Sequence, residues 1–326
     1  MVDQLNAASS DSDLVVIGGG NFWELWPRNS RTGTSIDVTT SELRALGKPV
    51  FFNSLGIDSG QGVSKNARYF PSYLEELLKD ENFFVTVRND GALQNLEDAL
   101  GWKAEIKCLP DHGFFAFDDA ATDQGISETE VAINLAGDMP QIRFSNASIQ
   151  EQIAAIAQGI ISLDEAGLKK FTIVPHIWKD LEVALELLKC LPDRLVRENV
   201  QVAALTTGQD YSPASKFEAY RRSSFVIAAR FHANVAALAS GKKLLPICNY
   251  PQISRLLDFL PNPWAFARLD SGDLGNWSKS MVETAQASDE RYRIFSTKVM
   301  DSLRADRQKI ATDLTSWLKS HGLCSA

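Results

Sequence analysis

The chain has 326 residues, a length that usually divides into two domains instead of forming a single core. Hydrophobic residues make up 44% of it and charged residues 23%, as in ordinary globular enzymes. The formal net charge of −8 argues against a general nucleic-acid binder, because a phosphate backbone needs a basic surface. It still permits a small anionic substrate, which a local cluster of cations can hold on an acidic protein.

Cysteine usage and the start of the chain indicate a cytoplasmic protein. The first residues, MVDQLNAASSDSD, are polar and lack the basic stretch and apolar core of a signal peptide. No run approaches the roughly 20 apolar residues that a membrane helix needs, so any association with a membrane is expected to be peripheral. Four scattered cysteines without a CxxC pair are interpreted as buried, reduced thiols: Cys108, Cys190, Cys248 and Cys324.

Short apolar runs alternate with amphipathic helices in the first part of the chain. Strands are predicted at Asp13–Ile17, Pro49–Ser54, Phe83–Val87, Ala104–Leu109 and Phe114–Phe117, with helices at Tyr69–Lys79 and Gly91–Leu100. This alternation is typical of a parallel sheet with right-handed crossovers. The polar stretch Asp118–Thr129 is interpreted as a linker, so residues 1–122 form the first predicted domain.

The same alternation resumes after the linker. Strands are predicted at Val131–Leu135, Phe171–Val174, Val200–Leu205, Phe225–Ala229 and Leu244–Ile247, with helices at Ser148–Leu163, Lys179–Leu191, Ser212–Arg222, His232–Ser240 and Asp289–His321. The sequence therefore predicts an α/β fold of two doubly wound domains facing a cleft. Residues 123–326 form the second domain, and the last helix is expected to pack back on the first.

Three of the four histidines closely follow predicted strands: His112, His176 and His232. In parallel α/β sheets, ligands bind outside the carboxyl ends of the strands, so these side chains are expected to line the binding cleft. Asp111 and His112 are interpreted as a pair that orients each other. His321, at the end of the last helix, suits the helix dipole and is assigned no role.

The segment Ala229–Asn234 carries the strongest local signal. Arg230 is predicted to leave its strand at the cleft, with His232 on the first turn of an alanine-rich helix. An arginine fork and free backbone N–H groups together suit a phosphate or carboxylate. A phosphate dianion at contact distance favours an imidazolium more than the helix dipole opposes it, so His232 is a candidate general acid.

Five segments together resemble the polysaccharide pyruvyl transferase family. They are DLVVIGGGNF (13–22), GKPVFFNSLGID (47–58), VTVRNDGALQNLEDALG (85–101), FTIVPHIWKD (171–180) and FVIAARFHANVAALASGKKLLPICNY (225–250). The Arg-x-His segment is the most specific of them. The resemblance implies a fold of two Rossmann-like domains similar to that of GT-B glycosyltransferases, with the donor bound by the second domain.

The resemblance also implies an activity, which is transfer of pyruvate from phosphoenolpyruvate to a saccharide or lipid-linked oligosaccharide as a ketal, without a metal or other cofactor. It assigns catalysis to Arg230 and His232. Donor binding is implied for Arg230, His232, His176, Asp180, Asn234 and Tyr250. Acceptor binding is implied for Gly19, Gly20, Asn21 and Arg88.

The chain departs from the family pattern at three places. Nothing here corresponds to the family's first strand and its Gly-Asn-x-Gly-Asp loop, so the first domain is expected to be shortened. Where the family often has an arginine after the strand at Val131, this chain reads NLAGDMP, and the nearest arginine is Arg143. After Tyr250 the family often has a lysine, whereas here four residues precede Arg255. Donor contacts are therefore expected to be fewer or rearranged.

Several alternatives remain open from the residues alone. Gly18–Gly20 begin like a dinucleotide fingerprint, but Trp23 stands where the third glycine belongs. Arg88 has a second interpretation, a structural ion pair with Asp90. Phe22, Trp23 and Trp26 suit either a sugar ring or the core. A glycosyltransferase that uses a nucleotide sugar and a non-catalytic relative are the other two functional classes.

Overall fold

The computed structural model describes residues 11–103, 105–117, 127–205, 213–261 and 267–324. The chain divides into two compact units. The first comprises Met1–Asp111 and Ser302–Ala326, and the second His112–Asp301. The boundary predicted between residues 122 and 123, and most of the predicted linker, lie outside the described residues.

Four parallel strands form the main sheet of the first unit. Numbered in chain order and given in their order in the sheet, they are β1 (Val15–Gly18), β3 (Val50–Leu55), β5 (Phe83–Arg88) and β6 (Lys107–Leu109). A separate parallel pair joins β2 (Trp23–Glu24) to β4 (Ile57–Asp58). The helices between them are α1 (Thr40–Arg44), α2 (Phe70–Lys79) and α3 (Ala92–Leu100).

Alternation along the strands gives the sheet of the first unit two apolar faces. Phe52, Phe83 and Val85 belong to the larger cluster, together with buried side chains of the three helices. Phe51 and Phe84 point the other way, where the last helix of the chain covers them. The sheet is thus buried on both sides, as parallel sheets require.

One predicted strand of the first half is wrong. Phe114–Phe117 does not form a strand, because His112–Phe115 turns as a short 3-10 helix after Pro110. Phe114 buries its ring, and the turn packs against the helix that begins at Phe231, in the second unit. The other four predicted strands are confirmed, with ends that differ by a few residues.

The second unit is built on five parallel strands. Their order in the sheet is β11 (Lys243–Pro246), β10 (Ser223–Ala228), β7 (Ser127–Asn134), β8 (Lys170–Ile173) and β9 (Val200–Val202). The chain moves outward from β7 through β8 to β9, then returns to the other side of β7 with β10. The strand order therefore reverses between β7 and β10, and such a switch point is where open α/β sheets bind ligands.

Nine helices are described after β7. They are α4 (Pro140–Arg143), α5 (Ile149–Glu165), α6 (Trp178–Cys190), α7 (Asp193–Asn199), α8 (Pro213–Arg222), α9 (Phe231–Ala239), α10 (Pro251–Phe259), α11 (Trp277–Gln286) and α12 (Asp289–Ser320). Sequence patterns predicted α5, α6, α8, α9 and α12, and these five are confirmed. The small residues of α9 are buried, which lets it approach the sheet closely. None of the described helices is both long and apolar enough to cross a membrane.

The four cysteines are all free thiols in the structure. Cys108 and Cys248 are partly buried, and burial raises the pKa of Cys108 to about 12. The prediction of buried thiols is wrong for Cys190 and Cys324, which are exposed at the ends of α6 and after α12. Cys190 is the last residue of α6 and Cys324 lies beyond α12, so neither belongs to a buried strand.

Candidate functional site

Asn134 marks the switch point of the second unit. It is the last residue of β7, lies opposite Ala228 of β10, and is completely buried. Its Oδ1 accepts a hydrogen bond from the backbone N–H of Arg230 at 2.9 Å, and its Nδ2 donates to the carbonyl of Val174 at 2.9 Å. One amide therefore fixes the chain where it leaves three neighbouring strands.

Asn234 holds Arg230 from the other side. Its Nδ2 donates to the carbonyl of Arg230 at 2.8 Å and to that of Ala228 at 3.2 Å. Its Oδ1 is buried and has no hydrogen-bond partner among the described residues. The backbone of Arg230 is thus positioned by two buried amides before its side chain makes any contact.

The guanidinium of Arg230 is held by two carboxylates. Its Nε and Nη2 form a bidentate pair with Asp180 at 2.7 and 2.6 Å, and Nη2 also donates to Asp138 at 2.9 Å. No hydrogen bond reaches its Nη1 within the part of the chain that the structure describes, and the side chain is 14% exposed. Two N–H donors therefore remain for a ligand.

Asp180 is a buried carboxylate with several donors. Besides Arg230 it accepts the backbone N–H groups of His176 and Ile177, at 2.8 and 3.1 Å. Burial raises the pKa of the Asp180 carboxyl, but the hydrogen bonds and charge of Arg230 and the two backbone donors outweigh it, so the net pKa is lowered. The carboxylate is ionised at neutral pH and caps the start of α6.

A second arginine reaches the same group. Arg143 donates from Nε to Asp138 at 3.2 Å and from Nη1 to Asn249 at 3.1 Å, and its guanidinium lies 4.8 Å from the ring centre of Tyr250. Burial lowers the pKa of Arg143, partly offset by the charge of Asp138. Asp138 thus bridges two guanidinium groups, which brings Arg143 to Arg230 although they lie far apart in the chain.

Lys216 adds a third cation to this end of the sheet. Its Nζ donates to the carbonyl of Pro175 at 2.9 Å, next to His176, and the residue is 7% exposed. Burial lowers the pKa of Lys216, while the charge of Asp180 raises it. Three cations and two carboxylates leave an excess of one positive charge before the histidines are considered, and this favours a bound anion.

The two histidines of the second unit have different environments. His176 lies with Nε2 2.6 Å from the Tyr220 hydroxyl, and burial, followed by the charge of Arg230, lowers its pKa to about 3. Its imidazole is therefore neutral at pH 7. His232 is exposed on the first turn of α9, with its ring edge against Phe231 at 5.3 Å between centres.

The first unit has its own polar cluster after β1, β4 and β5. Asn21 donates to Asp58 at 3.0 Å and accepts a hydrogen bond from Arg88. Arg88 is 3% exposed and pairs with Asp90 at 2.6 Å and with Asp111 at 3.5 Å. Arg88 therefore forms the ion pair with Asp90 that the sequence had suggested as its alternative role, and its guanidinium is buried.

The polysaccharide pyruvyl transferase model matches residues 3–249. The chain belongs to the polysaccharide pyruvyl transferase family. A comparison with curated proteins found no match. The family assignment therefore depends on the family model, which covers both the glycine triplet and the Arg230–His232 segment.

Solved structures of low sequence identity show the fold of this family member. A Staphylococcus aureus MnaA–UDP complex is 12% identical with a TM-score of 0.55, covering 100% of this chain and 79% of that one. A trehalose 6-phosphate synthase from Burkholderia multivorans is 12% identical with a TM-score of 0.54, covering 99% and 74%. At this identity the likeness shows the fold alone, two Rossmann-like units of the GT-B type.

The structure shows where the family's implied residues lie in this pyruvyl transferase homologue. In the second unit it brings together Arg230, Asp180, His176, Asn234 and, through Arg143, Tyr250. In the first unit Asn21 contacts Arg88, while Gly19 adopts a φ of 94° in the turn after β1. The glycine triplet leads into β2 and not into a helix, which removes the dinucleotide interpretation.

Sequence reasoning gave no site role to three side chains of the cluster in the second unit, namely Asp138, Arg143 and Lys216. The available signals were NLAGDMP after β7 and the position of Arg143 three residues beyond it. Met139 has a φ of 51° and immediately precedes the four-residue helix α4, and this turn brings Arg143 back to the strand ends. An arginine thus reaches the strand ends, although it follows a turn and a short helix instead of following the strand directly.

Two remaining expectations concern metals and aromatic residues. Within the described ranges, no group of three or more His, Cys, Asp or Glu side chains has an arrangement that holds a metal ion. Trp23 is fully buried against Phe52 and Phe70, so it belongs to the core. Phe22 is exposed and Trp26 is half-buried, which leaves both available for other contacts.

Proposed function

We propose that this chain transfers pyruvate from phosphoenolpyruvate to a pair of saccharide hydroxyls as a ketal, without a metal ion. The product would belong to an exopolysaccharide or cell-wall polymer. The observation that carries the proposal is the cation excess at the switch point of the second unit, formed by Arg230, Arg143 and Lys216 around Asp138 and Asp180. Family membership supplies the class of reaction.

Phosphoenolpyruvate suits this cluster because it carries both a carboxylate and a phosphate. Arg230 offers its Nη1, and Arg143 has no hydrogen bond on its Nη2 among the described residues. Guanidinium groups bind both anions in forked geometry, more strongly than neutral donors do. The two carboxylates hold the guanidinium planes in place before the donor arrives, which reduces the entropy lost on binding.

The chemical step needs a proton on the methylene carbon of the enol. In the proposal His232 delivers it, C2 becomes an oxocarbenium-like centre, and one sugar hydroxyl adds there and returns its proton to His232. A second hydroxyl then displaces the phosphate, which leaves with the proton of that hydroxyl, and the ketal closes. His176 does not supply the proton, because burial lowers its pKa to about 3 and keeps it neutral. It is a positioning residue instead, since its backbone N–H holds Asp180.

Donor binding is tested by thermal unfolding with millimolar phosphoenolpyruvate. A ligand at 100 times its Kd stabilises the folded state by about 2.7 kcal/mol, so the wild type should melt at a higher temperature. Arg230→Lys keeps the charge next to Asp180 but loses the fork, and the increase should shrink. Arg222→Lys, an exposed position that pairs with Glu218, is the matched control and should keep it.

Measurement of turnover provides a second test of the proposal. His232→Gln should retain the increase in melting temperature and lose about 10²–10⁴-fold in turnover, the usual contribution of a general acid. Stabilisation by a nucleotide sugar with none by phosphoenolpyruvate would instead identify a glycosyltransferase. An Arg230→Lys variant that responds like the wild type would remove the assignment of the site.

A further inference from the structure

A pocket opens in the first unit, and its lining does not include the residues of the Asn21–Arg88 cluster. Its volume is about 680 Å³, within the roughly 300–1,000 Å³ of small-molecule sites. The walls come from two segments, one after β2 and one after β4. The lining residues are Trp26, Arg28, Gln61, Gly62, Val63, Ser64, Lys65 and Asn66.

Two hydrogen bonds join the walls of this pocket. The backbone N–H of Ser64 donates to the carbonyl of Leu25 at 2.8 Å, and Asn66 Nδ2 donates to the carbonyl of Ser30 at 3.0 Å. Leu25 is itself fully buried and bonded to Asp58 at 2.9 Å, so the wall that bears Trp26 is tied to the core. The shape is formed before any ligand binds, which favours affinity.

The charges of the lining indicate an anion. Arg28 and Lys65 are exposed, and neither has an ion pair within the described ranges. Arg31, close to Arg28 in the chain, instead pairs with Asp37 and Glu42. The lining contains no carboxylate, although the chain has a net charge of −8. Two unopposed cations in a concave site attract a negatively charged ligand.

The remaining side chains indicate a sugar. Trp26 is half-buried and stacks on no other ring among the described residues, so one amphipathic aromatic face is available. Gln61 is exposed and contributes an amide with both a donor and an acceptor, which matches hydroxyl groups. We infer that this pocket binds a phosphorylated saccharide, with the phosphate on Arg28 and Lys65 and the sugar ring on Trp26.

Titration calorimetry with the full chain tests this inference directly. The probes are N-acetylglucosamine 1-phosphate, UDP-N-acetylglucosamine and a short-chain prenyl diphosphate sugar in detergent. Free N-acetylglucosamine is the neutral comparison, and inorganic phosphate and UDP are the comparisons without a sugar. At least one phosphorylated probe should bind at least tenfold more tightly than the free sugar. Which probe binds best identifies the source of the phosphate: free, nucleotide-linked or lipid-linked.

Variants assign that binding to the pocket. Arg28→Ala and Lys65→Ala should each weaken it about tenfold and reduce its salt dependence. Trp26→Ala should weaken the binding of the phosphorylated sugar but leave the binding of inorganic phosphate unchanged. Lys79→Ala, at an exposed lysine paired with Glu75 on α2, is the control and should bind as the wild type does.

Three results would overturn the inference. They are the absence of binding by every phosphorylated probe, pocket variants that bind like the control, and UDP that binds as tightly as the UDP-sugar. The inference does not depend on the proposed reaction. The pocket variants should still be stabilised by phosphoenolpyruvate, so a failure here and a failure of the donor assignment give different results.

Discussion

His176 and His232 lie at the same end of one sheet but have different chemical environments. His176 lies three residues after the end of β8, and His232 lies four residues after the end of β10. His176 is enclosed by Tyr220, Arg230 and Lys216, and burial keeps it neutral. His232 starts a helix and faces outward. Position relative to a strand end therefore brings a histidine to the site, and burial among its neighbours makes His176 neutral there.

The low pKa of His176 predicts a stability that depends on pH. Its folded pKa of about 3 lies below the 6.5 of the unfolded chain. The unfolded state therefore takes up a proton first as pH falls, and stability decreases from pH 6.5 toward pH 3, by up to about 1.4 kcal/mol per unit. Asp180, whose folded pKa is also lowered, contributes only below about pH 4.

Denaturant titrations across pH 4–8.5 should show this dependence. His176→Gln keeps a polar partner for Tyr220 but removes the titrating group, so its stability should fall less than that of the wild type between pH 6.5 and 4. Above pH 7.5 the two proteins should change in parallel, which is the internal control. Parallel curves over the whole range would contradict the buried, neutral state of His176.

At the residue scale the sequence predicted the anchors of the cluster but not its charge balance. Arg230 and Asp180 could be placed at the site from the sequence, because one follows a strand and the other begins a helix. At such positions the local fold fixes the direction in which the side chain points. Arg143 and Lys216 could not be placed, since their contacts depend on a four-residue helix and on the packing of α8. Such tertiary contacts between distant segments leave no local pattern.

The loop between β7 and α4 requires glycine at one position. A Cβ on Gly137 would lie 2.2 Å from the carbonyl oxygen of Lys179, which is too close for any contact. The backbone N–H of Gly137 donates to Asp180 at 3.2 Å, so the first turn of α6 rests directly on this loop. A side chain here must push α6 away from the strand ends.

Gly137→Ala is therefore expected to damage both stability and donor binding. Overpacking typically costs about 1–3 kcal/mol, and movement of Asp180 should also reduce the thermal stabilisation by phosphoenolpyruvate. Gly275→Ala is the matched control, because a Cβ there has open space. Equal unfolding free energies for the two variants in denaturant would show that the loop accommodates the methyl group by moving freely.

At the element scale, periodicity predicted the long helices and most strands because each buries a regular apolar face. Periodicity did not predict the elements that are too short to show a repeating apolar pattern. The paired strands β2 and β4 have two residues each, and α4 has four. Phe114 looked like part of a strand but buries its ring from a 3-10 turn. These elements depend on their neighbours instead of on local propensity.

The last helix contributes residues to both compact units. α12 begins at Asp289, within the second unit, and its residues from Ser302 onward belong to the first. There Ile310 packs with Phe51, Phe84 and Leu109, and Trp317 lies 5.6 Å from the ring of Phe84 while donating to the carbonyl of Glu81 at 2.7 Å. One face of the first sheet is thus covered by the end of the chain, far from its own strands in sequence.

Ile310→Ala tests how much the first unit depends on this cover. Truncation of a buried Ile side chain to Ala usually lowers the free energy of unfolding by about 2–5 kcal/mol. Amide hydrogen exchange should accelerate in β3 and β5, whereas β7 and β10 should keep the rates of the wild type. Thr315→Ala, at an exposed position of the same helix, should change neither sheet. Equal acceleration in both sheets would show instead that the two units unfold as one cooperative body and that the loss is not local to the first core.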